Sequence, residues 1–171
     1  MDIKLVFTDI DGVWTDGGMY YDTTGNEWKR FNTADSAGVM LLRQAGIQTG
    51  IITGEQTEIV SARAKKLQIS ILEMGAKNKL AIARKLGQKL DVQLEQMAYV
   101  GDDVNDIDLL KAVAFSATPA SAPEYVKMHA DHILKKSGGE GAFREFAEML
   151  LTDLGLFEKA LEKWLTEIRG S

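Results

Sequence analysis

The chain has 171 residues and a mass of 18.8 kDa, the size of one compact domain with its own core. Twenty Lys and Arg against 25 Asp and Glu leave a net charge of −5, the wrong sign for a general nucleic-acid binder. With no cysteine and two histidines, thiolate metal sites, disulfides and cysteine nucleophiles are excluded, and a bound metal would be held by oxygen or by the two histidines, which puts hard cations first.

Taken in chain order, short apolar runs alternate with longer segments of helical period, which predicts βα units and a parallel sheet. The expected strands are Lys4–Thr8, Thr49–Ile52, Ile69–Leu72, Met97–Val100 and Ala114–Ser116. The expected helices are Ser36–Ala45, Thr57–Leu67, Asn78–Leu90, Asn105–Ala112 and Gly141–Leu151. The repeat reads as an α/β fold with a doubly wound parallel sheet. One segment interrupts it: Met19–Asp22 and Asn26–Phe31, joined at Thr23-Thr24-Gly25, predict an aromatic-rich hairpin inserted over residues 17–32. An isolated hairpin is marginal in water, so its aromatics either cover their own sheet or pack on another subunit.

Pro119 and Pro123 mark a loop before a helix starting near Glu124. At the end of the chain Phe157, Leu161, Trp164, Leu165 and Ile168 share a helical face, so residues 152–171 read as an amphipathic extension to a domain of residues 1–151. That helix packs on its own domain or docks a partner. Apolar runs such as Val39–Leu42 and Met97–Val100 reach four residues, far short of the roughly 20 a membrane span needs. The start, Met-Asp-Ile-Lys, has neither a basic leader nor a small-residue cleavage site, so the expected location is cytoplasmic, with no membrane or nucleic-acid partner.

The chemistry-bearing residues fall at the carboxyl ends of the expected strands, where open α/β sheets place their ligands. Asp9-Ile10-Asp11-Gly12 follows the first, and its two like charges call for a cation such as Mg²⁺. Gly101-Asp102-Asp103-Val104-Asn105-Asp106 follows the fourth. Asp9, Asp11 and Asp102 converge on one ion if those strands are neighbours, while Asp103, Asn105 and Asp106 also suit the start of the next helix. Thr53-Gly54-Glu55 offers a hydroxyl and amides to phosphate oxygens. Lys79 opens a helix where its charge and the helix end favour an anion, with Lys77 its competitor.

Phe7-Thr8-Asp9-Ile10-Asp11-Gly12-Val13-Trp14-Thr15-Asp16, Thr53-Gly54, Lys79 and Gly101 to Asp106, in that order, resemble the four motifs of haloacid-dehalogenase-superfamily phosphatases. The match runs to about Leu151 and is closest to the small branch without a cap domain, which acts on 3-deoxy-D-manno-octulosonate 8-phosphate and 2-keto-3-deoxynononate 9-phosphate. The resemblance implies a Rossmann-like fold and hydrolysis of a sugar-acid phosphate monoester through an aspartyl-phosphate. Asp9 would be nucleophile and Asp11 acid and base. Mg²⁺ would sit on Asp9, Asp11 and Asp102, phosphate on Thr53, Gly54 and Lys79, with Asp103 and Asp106 in support. It also implies a homotetramer built through the hairpins, and a site bordered by Lys136 to Glu145. Octulosonate phosphatases usually carry Arg where this chain has Glu55, so Glu55, with Arg63 and Lys66 on the following helix, points to the nine-carbon substrate; the eight-carbon one is the alternative. A regulatory module that accepts phosphate on Asp9, or a scaffold whose acidic residues only cap helices, is the reading from another class.

Overall fold

The computed structural model describes residues 1–170. Six parallel strands form the main sheet: β1 (Leu5–Thr8), β4 (Gln48–Ile52), β5 (Ile71–Glu73), β6 (Met97–Val100), β7 (Phe115–Thr118) and β8 (His132–Ile133). Their order is β5-β4-β1-β6-β7-β8. The chain winds outward from β1 through β4 and β5 and returns on the other side as β6, β7 and β8. The switch point therefore lies between β1 and β6, which pair in register from Leu5 with Met97 to Thr8 with Val100.

Both central strands are wholly buried, as expected where helices cover both faces of a parallel sheet. Strand alternation divides their side chains. Val6, Ile51, Ala98 and Val100 face one core, while Leu5, Phe7, Ile52, Met97 and Tyr99 face the other. The first core is closed by α1 (Ala34–Gln44), α2 (Glu58–Lys66), α6 (Ala142–Asp153) and α7 (Phe157–Gly170), and the second by α3 (Lys79–Leu90) and α4 (Ile107–Ala112). A short α5 (Glu124–Lys127) leads into β8.

The helix α7 lays Phe157, Leu161 and Trp164 against the first core and buries Ala160, while Leu165 stays exposed. No helix among the described residues is long and apolar enough to cross a membrane.

The structure departs from the sequence expectation at sheet edges. The pair His132–Ile133, too short to show a period, joins the sheet as β8. The third expected strand, Ile69–Leu72, enters the sheet as β5 at Ile71 rather than Ile69, because Gln68 takes a left-handed turn and Ile69 is drawn into the core. The hairpin is narrower than expected: β2 (Tyr20–Tyr21) and β3 (Glu27–Trp28) form a separate two-stranded sheet. Tyr20, Tyr21 and Trp28 are all at least half exposed.

Candidate metal and phosphate site

The loops following β1, β4, β6 and β7 open into one cavity of about 380 Å³ at the carboxyl edge of the sheet. It is lined by Asp9, Asp11, Thr53, Gly54, Glu55, Asp102 and Asp103 among the expected residues, and also by Asp16, Met19, Asn105 and Ser121.

Asp9 extends β1, its N–H bonded to the Val100 carbonyl at 3.0 Å, so the carboxylate is delivered at the switch point. Trp14, fully buried, donates from Nε1 to Thr8 Oγ1 at 2.9 Å and locks the following turn against the strand. Gly12 then passes so close to Asp102 that a Cβ there would lie 1.8 Å from its Oδ2.

Beneath Asp9 lies Lys79, 1% exposed. Its ammonium is 2.8 Å from Asp9 Oδ2 and 2.5 Å from Asp106 Oδ1. Burial works against its charge, but the two carboxylates outweigh it and hold the pKa above the ordinary lysine value. Lys77 is exposed.

Asp106 also accepts from Tyr99 Oη on Oδ1 and from the N–H groups of Asp102 and Asp103 on Oδ2, at 2.8 and 2.9 Å. Asp103 caps the turn Val104–Asp106. The residues of this acidic run thus divide between two environments. Asp103 and Asp106 build the turn, and Asp102 is left facing Gly12.

Oxygens of Asp9, Asp102 and Asp106 lie within 4.8 Å of one another. Those of Asp106 are taken up by Lys79, Tyr99 and two backbone N–H groups. Asp9 Oδ1 and Asp102 Oδ1 are buried without a hydrogen-bond partner. Burial, then the neighbouring carboxylates, pushes Asp102 up to about 8; burial likewise raises Asp9 to about 6, opposed by Lys79. Two orphaned oxygens on carboxylates that resist ionisation are the donor set a hard divalent cation such as Mg²⁺ satisfies.

Two expected substrate residues lie outside the cavity. The Arg63 guanidinium packs 5.9 Å from the Trp14 ring and 5.5 Å from Phe31, and donates to Ser36 Oγ at 2.9 Å and the Asn32 carbonyl at 3.3 Å. Cation–π stacking and these acceptors turn it inward. Lys66 is exposed on α2 and does not line the cavity. Glu55 does line it, at the exposed rim.

One residue the sequence reading missed is Lys29, whose ammonium is 2.7 Å from Asp11 Oδ1 and fully enclosed. Its signal was the alternation in β3: with Trp28 turned outward, the next residue faces in. The glycine loop expected to border the site is adjacent to it. The Gly139 N–H bonds to the Val13 carbonyl at 3.1 Å, and the Gly138 N–H to Ser121 Oγ at 3.0 Å.

A family model described as haloacid dehalogenase-like hydrolase matches residues 23–114. The 3-deoxy-D-manno-octulosonate 8-phosphate phosphatase KdsC of Haemophilus influenzae is 39% identical over 154 residues, 90% of this chain and 86% of that protein. A probable YrbI family phosphatase from Pseudomonas syringae pv. phaseolica is 42% identical with a TM-score of 0.91, covering 95% of this chain and 93% of that one. The 3-deoxy-D-manno-octulosonate 8-phosphate phosphatase of Moraxella catarrhalis, solved with a magnesium ion, a phosphate ion and KDO, is 35% identical with a TM-score of 0.91 and the same coverage.

Proposed function

The chain belongs to the haloacid dehalogenase-like hydrolases and is a phosphatase that uses Mg²⁺, and from that premise we propose that it hydrolyses 3-deoxy-D-manno-octulosonate 8-phosphate through a phosphoryl-Asp9 intermediate. The observation that carries the chemistry is the facing pair of orphaned oxygens on Asp9 and Asp102, at the ends of neighbouring strands above buried Lys79.

A carboxylate needs no separate base to attack phosphorus, so Asp9 forms the P–O bond while the bond to the sugar oxygen breaks. Asp11, two residues on and at the same cavity, gives a proton to the departing sugar oxygen. It then takes one from the water that attacks phosphoryl-Asp9, releasing inorganic phosphate, freeing the Asp9 carboxylate and returning Asp11 to its protonated form. Lys79 fixes Asp9 and offsets negative charge gathered at the site. Thr53 and Gly54 supply a hydroxyl and a backbone amide for phosphate oxygens. Asp9, Asp102 and the Asp11 carbonyl would hold Mg²⁺, which would supply charge neutralisation for the ester.

The eight-carbon substrate is favoured over the nine-carbon one by the relatives, which bear that name and match over most of their length. Of the residues that pointed to nine carbons, only Glu55 reaches the cavity. The exposed aromatics of the hairpin support assembly into a homotetramer through it.

Phosphate release from the two sugar-acid phosphates, with and without Mg²⁺, tests the reading. Mg²⁺-dependent release with kcat/KM about tenfold or more higher on the eight-carbon ester is expected. Preference for the nine-carbon ester would overturn the substrate, and no release from either would overturn the activity.

A further inference from the structure

The hairpin carries a cation that its solvent-facing position does not call for. Trp28 is half exposed, yet the next residue, Lys29, is only 7% exposed. An ammonium so enclosed requires anionic partners, since stripping its water without compensation costs several kcal/mol. Its nitrogen lies 2.7 Å from Asp11 Oδ1, 2.8 Å from Asp11 Oδ2 and 3.3 Å from Glu27 Oε1. Thr15 Oγ1 adds a longer bond to Asp11 at 3.3 Å.

This two-oxygen grip determines where the Asp11 carboxylate sits. An aspartate facing an open cavity distributes over several staggered rotamers, and Lys29 selects one of them. Each carboxylate oxygen keeps further lone-pair capacity, so Asp11 can carry or accept a proton on its cavity side while held. Lys29 is itself anchored, because the hairpin's exit is tied to both neighbouring loops. Arg30 pairs with Asp16 at 3.1 Å, and Asn32 Nδ2 donates to the Gly139 carbonyl at 3.1 Å.

The geometry points to Lys29 as a positioning residue for the proton-transfer step: it fixes the Asp11 carboxylate at the mouth of the cavity and so makes the hairpin part of its own chain's hydrolytic machinery. This rests on the reading of Asp11 as the group that protonates the leaving oxygen. Proton transfer by a placed side chain contributes about 10²–10⁴-fold, and a displacement of about 1 Å can cost 10²-fold. A free Asp11 should therefore retain part of its effect, leaving a deficit of about 10- to 100-fold.

The test compares kcat/KM on a primary-alcohol sugar phosphate, whose leaving oxygen needs a proton, with p-nitrophenyl phosphate, whose leaving group departs as a stable anion. Lys29→Met should lose about tenfold or more on the sugar ester than on the aryl ester. Asp11→Asn, the reference, should show the same selectivity in larger degree. Lys29→Gln, keeping one donor without the charge, should show a smaller effect, and it serves if the methionine variant does not fold. If Asp11→Asn discriminates between the esters and the Lys29 variants lose equally on both, or lose nothing, the positioning role is overturned and the phosphatase reading stands. If Asp11→Asn itself fails to discriminate, the role given to Asp11 falls, and that of Lys29 with it.

Discussion

Replacing Gly12 by alanine removes no side chain assigned to the chemistry, yet it should disable the enzyme. Gly12 has φ +83°, and a Cβ there would lie 1.8 Å from Asp102 Oδ2 and 2.3 Å from its Cγ. Opening that contact to even 3.0 Å moves the carboxylate by about 1.2 Å. Left-handed backbone at a non-glycine residue costs about 1–2 kcal/mol, which for a chain of this size lowers the melting temperature by roughly 2–8 °C. Displacing a cation ligand by about 1 Å should cost about 10²-fold in turnover. Phosphate release measured across a Mg²⁺ titration, beside thermal melts, reads both quantities. Gly25→Ala is the control: Gly25 has φ +89° and nothing within 4 Å of an added Cβ, so it carries the strain without the collision. The expected result is a similar modest drop in melting temperature for both variants. Only Gly12→Ala should lose activity and require more Mg²⁺. A folded Gly12→Ala enzyme with the wild-type rate and Mg²⁺ midpoint would refute the reasoning.

Two further outcomes follow from buried charge. Lys79→Met leaves Asp106 with no cation in an enclosed site; breaking such a pair costs about 3–5 kcal/mol, to be read by urea unfolding, with turnover lost as well. Burial raises Asp35 to about 6, against backbone N–H bonds from Arg144 and Phe143 and the charge of Arg63. With its folded pKa above the 3.8 of a free aspartate, its protonated form stabilises the fold below about pH 4, and that contribution is lost as pH rises through about 6. The loss amounts to about 3 kcal/mol. Relative to Asp35→Asn, the wild type should therefore lose about that much stability between pH 4 and pH 7, and parallel pH profiles would contradict it.

What the sequence made legible is what periodicity and strand ends report. Leu5–Thr8 and Met97–Val100 are uninterrupted apolar runs because both faces of the sheet are covered, and the acidic residues after them meet because those strands are neighbours. What stayed hidden is set by distant segments. Arg63 reads from the sequence as a substrate group on the helix after Glu55, but Trp14 and Phe31, far away in the chain, draw it inward. Lys29 lies just beyond a two-residue strand, where alternation from Trp28 gives its direction but not its partner, and that partner, Asp11, is 18 residues away. Asp106, one acid among several in its run, is singled out by Lys79 and Tyr99. The nine-carbon reading rests on Glu55 together with the helix cations Arg63 and Lys66, and neither cation reaches the cavity.

Turnover by this route requires Asp9 to become covalently phosphorylated at a site that needs a divalent cation. Wild-type enzyme turning over 3-deoxy-D-manno-octulosonate 8-phosphate with Mg²⁺, quenched in acid and mapped by peptide mass, should carry one phosphoryl group on the peptide containing Asp9. The group should be absent when Mg²⁺ is chelated and absent in Asp9→Asn. Phosphate release by Asp9→Asn at the wild-type rate, or a phosphoryl group on any other residue, would contradict it.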